Sequence, residues 1–181
     1  MSLFILLCVS LAYGHKQVVA IPSPTVYAIG DTGPAGGKVF YITHEGLHGL
    51  EAAPVDQASA LWNCFGTDVV GVTNITAAEI PDDHSGATNT PLIAVACGGA
   101  AAVAAVYVWP NGQTDGFLPN KEELNLLYAQ RAEFVGGFAG SLYWSSSEFD
   151  DIFAWNQIFG SDNQVLDDKF STNSVRAVRV F

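Results

Sequence analysis

Positive charge is scarce in this chain: seven lysines and arginines stand against eighteen aspartates and glutamates, giving a net charge of −11 at pH 7. Such a chain repels nucleic acid and anionic membrane surfaces unless its few cations cluster, so nucleic-acid binding is not the expected function. Histidine is also scarce, with four residues and none beyond His84. Ser145, Ser146 and Ser147 therefore have no histidine near in sequence to act as base, and no G-x-S-x-G elbow surrounds them. The glycine cluster from Gly33 to Lys38 lacks the hydroxyl residue of a phosphate-binding loop and precedes a strand rather than a helix.

What the chain does have suits one domain. Its 181 residues, 49% of them apolar, can bury a single core of ordinary size. The N-terminus, apolar from Leu3 to Leu11 and then Ala12, Tyr13 and Gly14, reads as a signal peptide over residues 1–14, although no cation precedes the apolar run; a buried strand or an internal fragment is the alternative. Residues 15–26 are a lead-in containing Pro22 and Pro24. Leu7 before Cys8 argues against lipid anchoring. Export would leave Cys64 and Cys97, which pair most simply as a disulfide in an oxidising compartment; two buried free thiols are the competing reading. Leu92–Trp109 is long enough for a membrane span, but alanine dominates it, Gly98 and Gly99 interrupt it and Pro110-Asn111-Gly112 closes it, so it reads as a small-residue helix packed inside the domain.

Strands are expected at Lys38–Thr43, Ser141–Ser146, Phe153–Phe159 and Ser174–Phe181, from alternation and aromatic or β-branched content. A helix is expected after Pro119, capped by Asn120 with Glu123 three residues on. Asp68–Asn89 is patternless and polar, which predicts a long surface loop, with a glycosylation sequon at Asn74-Ile75-Thr76 that matters only in a eukaryotic secretory host. Helices in the middle and strands towards both ends predict an α+β fold with two main helices.

His44-Glu45-Gly46-Leu47-His48 matches the zinc-hydrolase motif H-E-x-x-H, in which two histidines one helical turn apart hold the metal. That geometry needs a helix, whereas Gly46 and Gly49 after a β-like run favour a turn between strands. Calcium is weighed at Asp150-Asp151 and Asp167-Asp168, but neither pair has EF-hand spacing, and solvated acidic turns account for them; no cofactor is expected.

Seven segments carry a resemblance in order: Gly33-Pro34-Ala35-Gly36-Gly37-Lys38-Val39-Phe40-Tyr41; Gly46-Leu47-His48-Gly49-Leu50-Glu51-Ala52-Ala53-Pro54; Trp62 with Cys64; Phe117-Leu118-Pro119 with Lys121-Glu122-Glu123-Leu124-Asn125-Leu126-Leu127-Tyr128; Tyr143-Trp144-Ser145-Ser146-Ser147-Glu148; Ala154-Trp155; and Val175-Arg176-Ala177-Val178-Arg179. Together they resemble the Lcl-type domain, the C-terminal domain of bacterial collagen-like adhesins, over residues 27–181. The resemblance implies an exported or surface-located bacterial domain with a C-type-lectin-like fold that binds sulfated glycosaminoglycan as a homotrimer and performs no catalysis. A sulfated polymer requires a basic surface, which seven cations do not readily supply.

The expected ligand site lies on the C-terminal strands. Trp144 and Trp155 offer stacking faces, and Ser146, Glu148, Asn156 and Gln157 offer donors and acceptors for a glycan or another cell-surface ligand. Aromatics alternating along strands also fit a core role, and Arg176 and Arg179 are as well suited to holding Glu148 or Asp150 as to holding ligand. A structural or protein-interaction module of the envelope is the alternative function, with the zinc hydrolase behind it.

Overall fold

The computed structural model describes residues 23–76, 85–134, 137–138 and 140–181. The expected signal peptide, Cys8, Lys16 and His84 lie outside these residues. Among the described residues the chain is α+β, with eight strands in two sheets and three α-helices.

The first sheet begins with β1 (Lys38–Thr43), which pairs antiparallel with β2 (His48–Ala52). The zinc motif falls on the connection between them. His44–Gly46 forms a single 3-10 turn in which His44 and Glu45 have φ of 46° and 58°. Left-handed backbone at two successive residues cannot belong to an α-helix, so the helical spacing that H-E-x-x-H requires is not present. Among the described residues no group of three metal-ligating side chains forms.

β3 (Gln57–Leu61) opens the second sheet, whose strand order is β3-β7-β4-β5-β6. Here β4 is Leu142–Glu148, β5 Phe153–Ile158, β6 Gln164–Asp168 and β7 Thr172–Val175. Every pairing in this sheet is antiparallel except β4 with β7, which is parallel. The single strand expected over Ser174–Phe181 is two: the chain leaves the second sheet after Val175 and enters the first as β8 (Val178–Val180), beside β2. The Arg176 guanidinium at this break donates to the Ala53 carbonyl at 2.9 Å and pairs with Asp56, which fixes the crossing between sheets.

The expected Leu92–Trp109 helix is also two elements. α1 spans Ser85–Ala96 and thus starts inside the stretch expected to be loop, and α2 spans Gly99–Ala105. Gly98 and Gly99 between them have φ of 73° and 61°, so the chain turns by 118°. Gly99 also sits where a Cβ would lie 2.4 Å from the Trp62 carbonyl oxygen; only glycine meets both demands. Neither helix is long and apolar enough to cross a membrane. α3 (Lys121–Ala129) follows the expected signal closely. The Asn120 side chain accepts from the Glu123 amide and Glu123 accepts from the Asn120 amide, both at 2.7 Å, which completes a capping box.

Two apolar clusters result. Around α1 and α2, Trp62, Trp109, Trp144, Ile93 and small alanines interlock; around α3, Phe40, Leu50, Leu124, Leu127, Tyr143 and Phe159 do so. β4 contributes to both, because α1 and α3 each pack against it.

Candidate functional site

The position of β4 decides what becomes of the expected ligand site. It is a central strand covered on both sides, so its polar residues are interior along with its aromatic ones. Trp144, Ser146, Glu148, Asn156 and Gln157 are all buried. The Trp144 indole N–H donates to the Ala60 carbonyl at 2.9 Å. The Ser146 backbone N–H donates to the Pro119 carbonyl, and the Ser146 carbonyl accepts from Asn89 Nδ2. Asn156 Oδ1 accepts from Asn173, and Gln157 Nε2 donates to the Asn163 carbonyl at 3.4 Å. Trp155 is partly exposed, yet Lys121 Nζ stands 4.1 Å over its ring and its N–H donates to the Ile75 carbonyl. Five of the six residues expected to meet ligand are thus buried, both indole N–H groups donate within the fold, and Ser146 Oγ, Asn156 Nδ2 and Gln157 Oε1 are buried with no hydrogen-bond partner among the described residues. Alternation predicts one solvated face per strand, and that premise fails for a strand roofed on both sides.

Cations behave similarly. Lys38 donates to the Gly30 carbonyl, and Arg131 to the Tyr128 carbonyl while lying over that ring. Arg176 pairs with Asp56 and Arg179 with Asp115 and Glu51, in place of the expected Glu148 and Asp150. Lys121 covers Trp155 and Lys169 meets Glu148. Lys16 lies outside the described residues; each of the other six lysines and arginines has a partner within the chain, Arg131 while exposed. One carboxylate of each acidic pair, Asp150 and Asp167, is occupied as well. Asp150 caps the amides of Ile152 and Phe153, and Asp167 binds Ser171 and Asn173.

A concave surface lies elsewhere among the described residues, between α1 and the loop from Asn63 to Val70, with Phe170 from the turn between β6 and β7 also lining it. It encloses about 790 Å³, within the range of roughly 300–1,000 Å³ usual for ligand sites. Two ties hold its walls together. Cys64 and Cys97 form the expected pair, with Cα atoms 5.4 Å apart. Asn63 Nδ2 donates to the Cys97 carbonyl at 2.6 Å. Asn63 and Cys64 both hold positive φ, 74° and 60°, a local strain that these long-range contacts retain.

Behind the loop wall lies a buried ion pair. Lys169 Nζ is 2.5 Å from Glu148 Oε1, and neither side chain is exposed. Lys169 also donates to the Thr67 carbonyl, and Glu148 accepts the Val69 amide, so both charges grip the backbone of the groove wall. The Lys169 ammonium lies 4.8 Å from the Trp62 ring centroid. Burial pushes the Glu148 carboxyl above its ordinary range, while the Lys169 and Val69 hydrogen bonds pull it down.

The surface so positioned is apolar. Phe65 and Phe170 stack with centroids 4.4 Å apart, and Leu92 and Val95 face the groove from α1. Sequence reasoning missed these residues. The signals available were Val69 and Val70 inside a polar stretch and the pairing of Cys64 with Cys97, which brings that stretch against α1.

No protein-family model matches this chain, and no curated protein matches it either.

Proposed function

We propose that this chain is an exported, non-enzymatic binding domain of Lcl type, built on a C-type-lectin-like arrangement, that captures its ligand in the groove beside the Cys64–Cys97 pair. The observation that carries this reading is the groove itself: an apolar concavity whose walls are fixed by a cysteine pair and a buried ion pair, while the polar residues expected to meet ligand on the C-terminal strands are buried. Rigid walls around exposed apolar surface suit capture, since little ordering is needed on binding. The ordered motifs of the Lcl resemblance and the α+β arrangement support the lectin-like assignment. Export is supported by the cysteine pair.

The engaged cations weigh against sulfated glycosaminoglycan as ligand and favour the protein-interaction form of the function. The test is a screen of the purified, oxidised chain against a glycan array that includes sulfated polysaccharides and against a peptide array. Saturable binding on either, weakened by Val95→Asp in a protein that still folds, supports a binding domain using this groove. Silence on both arrays sinks the reading.

A further inference from the structure

We propose that the groove between α1 and the Asn63–Val70 loop receives a polypeptide segment with an apolar or aromatic anchor flanked by lysine or arginine. This deepens the binding-domain reading and rests on it.

The anchor follows from the lining. Val70 is 91% exposed, Val95 90% and Phe170 60%, so both walls and the turn carrying Phe170 present apolar side chains to solvent. Clustered exposure of this kind marks an interaction surface, whereas single exposed apolar residues need no explanation. A volume of about 790 Å³ accommodates a few side chains and not a folded domain. Polar side chains lining it are few: Asn63, Thr67 and Asp68. The Asn63 amide is spent on the Cys97 carbonyl and Asp68 accepts from Asn74. A sugar ring needs several directed hydrogen bonds besides a flat apolar face, and this lining supplies few.

The flanking charge follows from the rim. Asp68 is exposed at the groove, and exposed Asp151 is adjacent, its carbonyl accepting the Gly66 amide. Among the described residues no lysine or arginine lines the groove. Lys169, which donates to the Thr67 carbonyl of the loop wall, is buried against Glu148. With a net charge of −11, the approach to this apolar surface attracts cationic and repels anionic segments, which sets partner choice and association rate.

The test uses the oxidised full chain and three synthetic peptides: one with a Trp-Leu anchor flanked by lysines, the same anchor flanked by glutamates, and a lysine peptide with no anchor. Fluorescence anisotropy at low and at high salt reads the affinities. The lysine-flanked anchor should bind at least about tenfold more tightly than either control, a difference of 1.4 kcal/mol, and salt should narrow its advantage over the glutamate version. Val95→Asp and, on the opposite wall, Val70→Asp should each remove that binding; both side chains point to solvent, so near-UV circular dichroism should be unchanged. Equal affinity for both anchored peptides, or full binding by both variants, overturns the proposal. So does concentration-dependent self-association abolished by the same variants, which assigns the groove to a second copy of the chain. Glycan binding untouched by the groove variants would overturn the peptide assignment while leaving a binding domain standing. Failure to bind any peptide or glycan removes both.

Discussion

Lys169 and Glu148 meet at 2.5 Å with no exposure of either side chain, and both reach past each other to the backbone of the loop that walls the groove. Removing one partner strands the other charge in the interior. Lys169→Met should therefore destabilise the domain by about 3–5 kcal/mol, whereas Lys169→Met combined with Glu148→Gln should recover much of that loss. Urea denaturation of the two single variants and the double variant checks this. Additive losses would show that the two groups do not act as a pair.

The cysteine pair closes a loop with a sequence separation of 33. Under the chain-entropy account, Cys64→Ser with Cys97→Ser should cost about 3–4 kcal/mol. Because the pair ties the groove walls, the double variant should also lose peptide affinity while still folded in mild conditions. Denaturant midpoints with and without reductant, compared for wild type and variant, give the measurement; reductant should have no effect on the variant.

Asp115 lies on the surface with both carboxylate oxygens 2.7 Å from the Arg179 guanidinium, which holds its carboxyl below the usual range. A carboxyl lowered in the folded state contributes stability above its unfolded pKa, and that contribution disappears as pH falls through the folded value. Asp115→Asn should therefore lower the melting temperature slightly at neutral pH and converge with wild type below about pH 4. A difference that persists unchanged into acid would point to packing rather than charge.

Asn120 caps α3, and its loss exposes the Glu123 amide inside the domain. Asn120→Ala should cost about 1 kcal/mol or somewhat more; Asn120→Asp keeps the cap acceptor but loses the Nδ2 donor to Ser85 Oγ (2.6 Å) and sets a second carboxylate beside buried Glu123, so it should recover only part of that loss. Chemical denaturation ranks the two; full recovery by Asn120→Asp would show that the Ser85 contact contributes nothing.

Much of the local structure was legible in the chain. Residues 38–43 alternate and form β1 with the expected bounds, and Asn120 with Glu123 sets the start of α3. The α+β class and the cysteine pair were equally readable. The breaks were less so. Gly98 and Gly99 announced an interruption, but its angle comes from close packing of Gly99 on the Trp62 carbonyl, a contact remote in sequence. β6 carries Asp167 and Asp168 and was missed because turn-forming carboxylates mask a short edge strand.

The candidate site divides along the same line. Sequence by itself determined the charge poverty, the residues able to pair as a disulfide and the aromatic wealth of the C-terminal strands. Only tertiary structure decided exposure. Burial is a property of what lies above and below a strand, so Trp144 and Glu148 became interior once α1 and α3 covered β4. Phe65, Val70, Val95 and Phe170, which no local pattern distinguished, became the surface on which this protein meets solvent through apolar side chains.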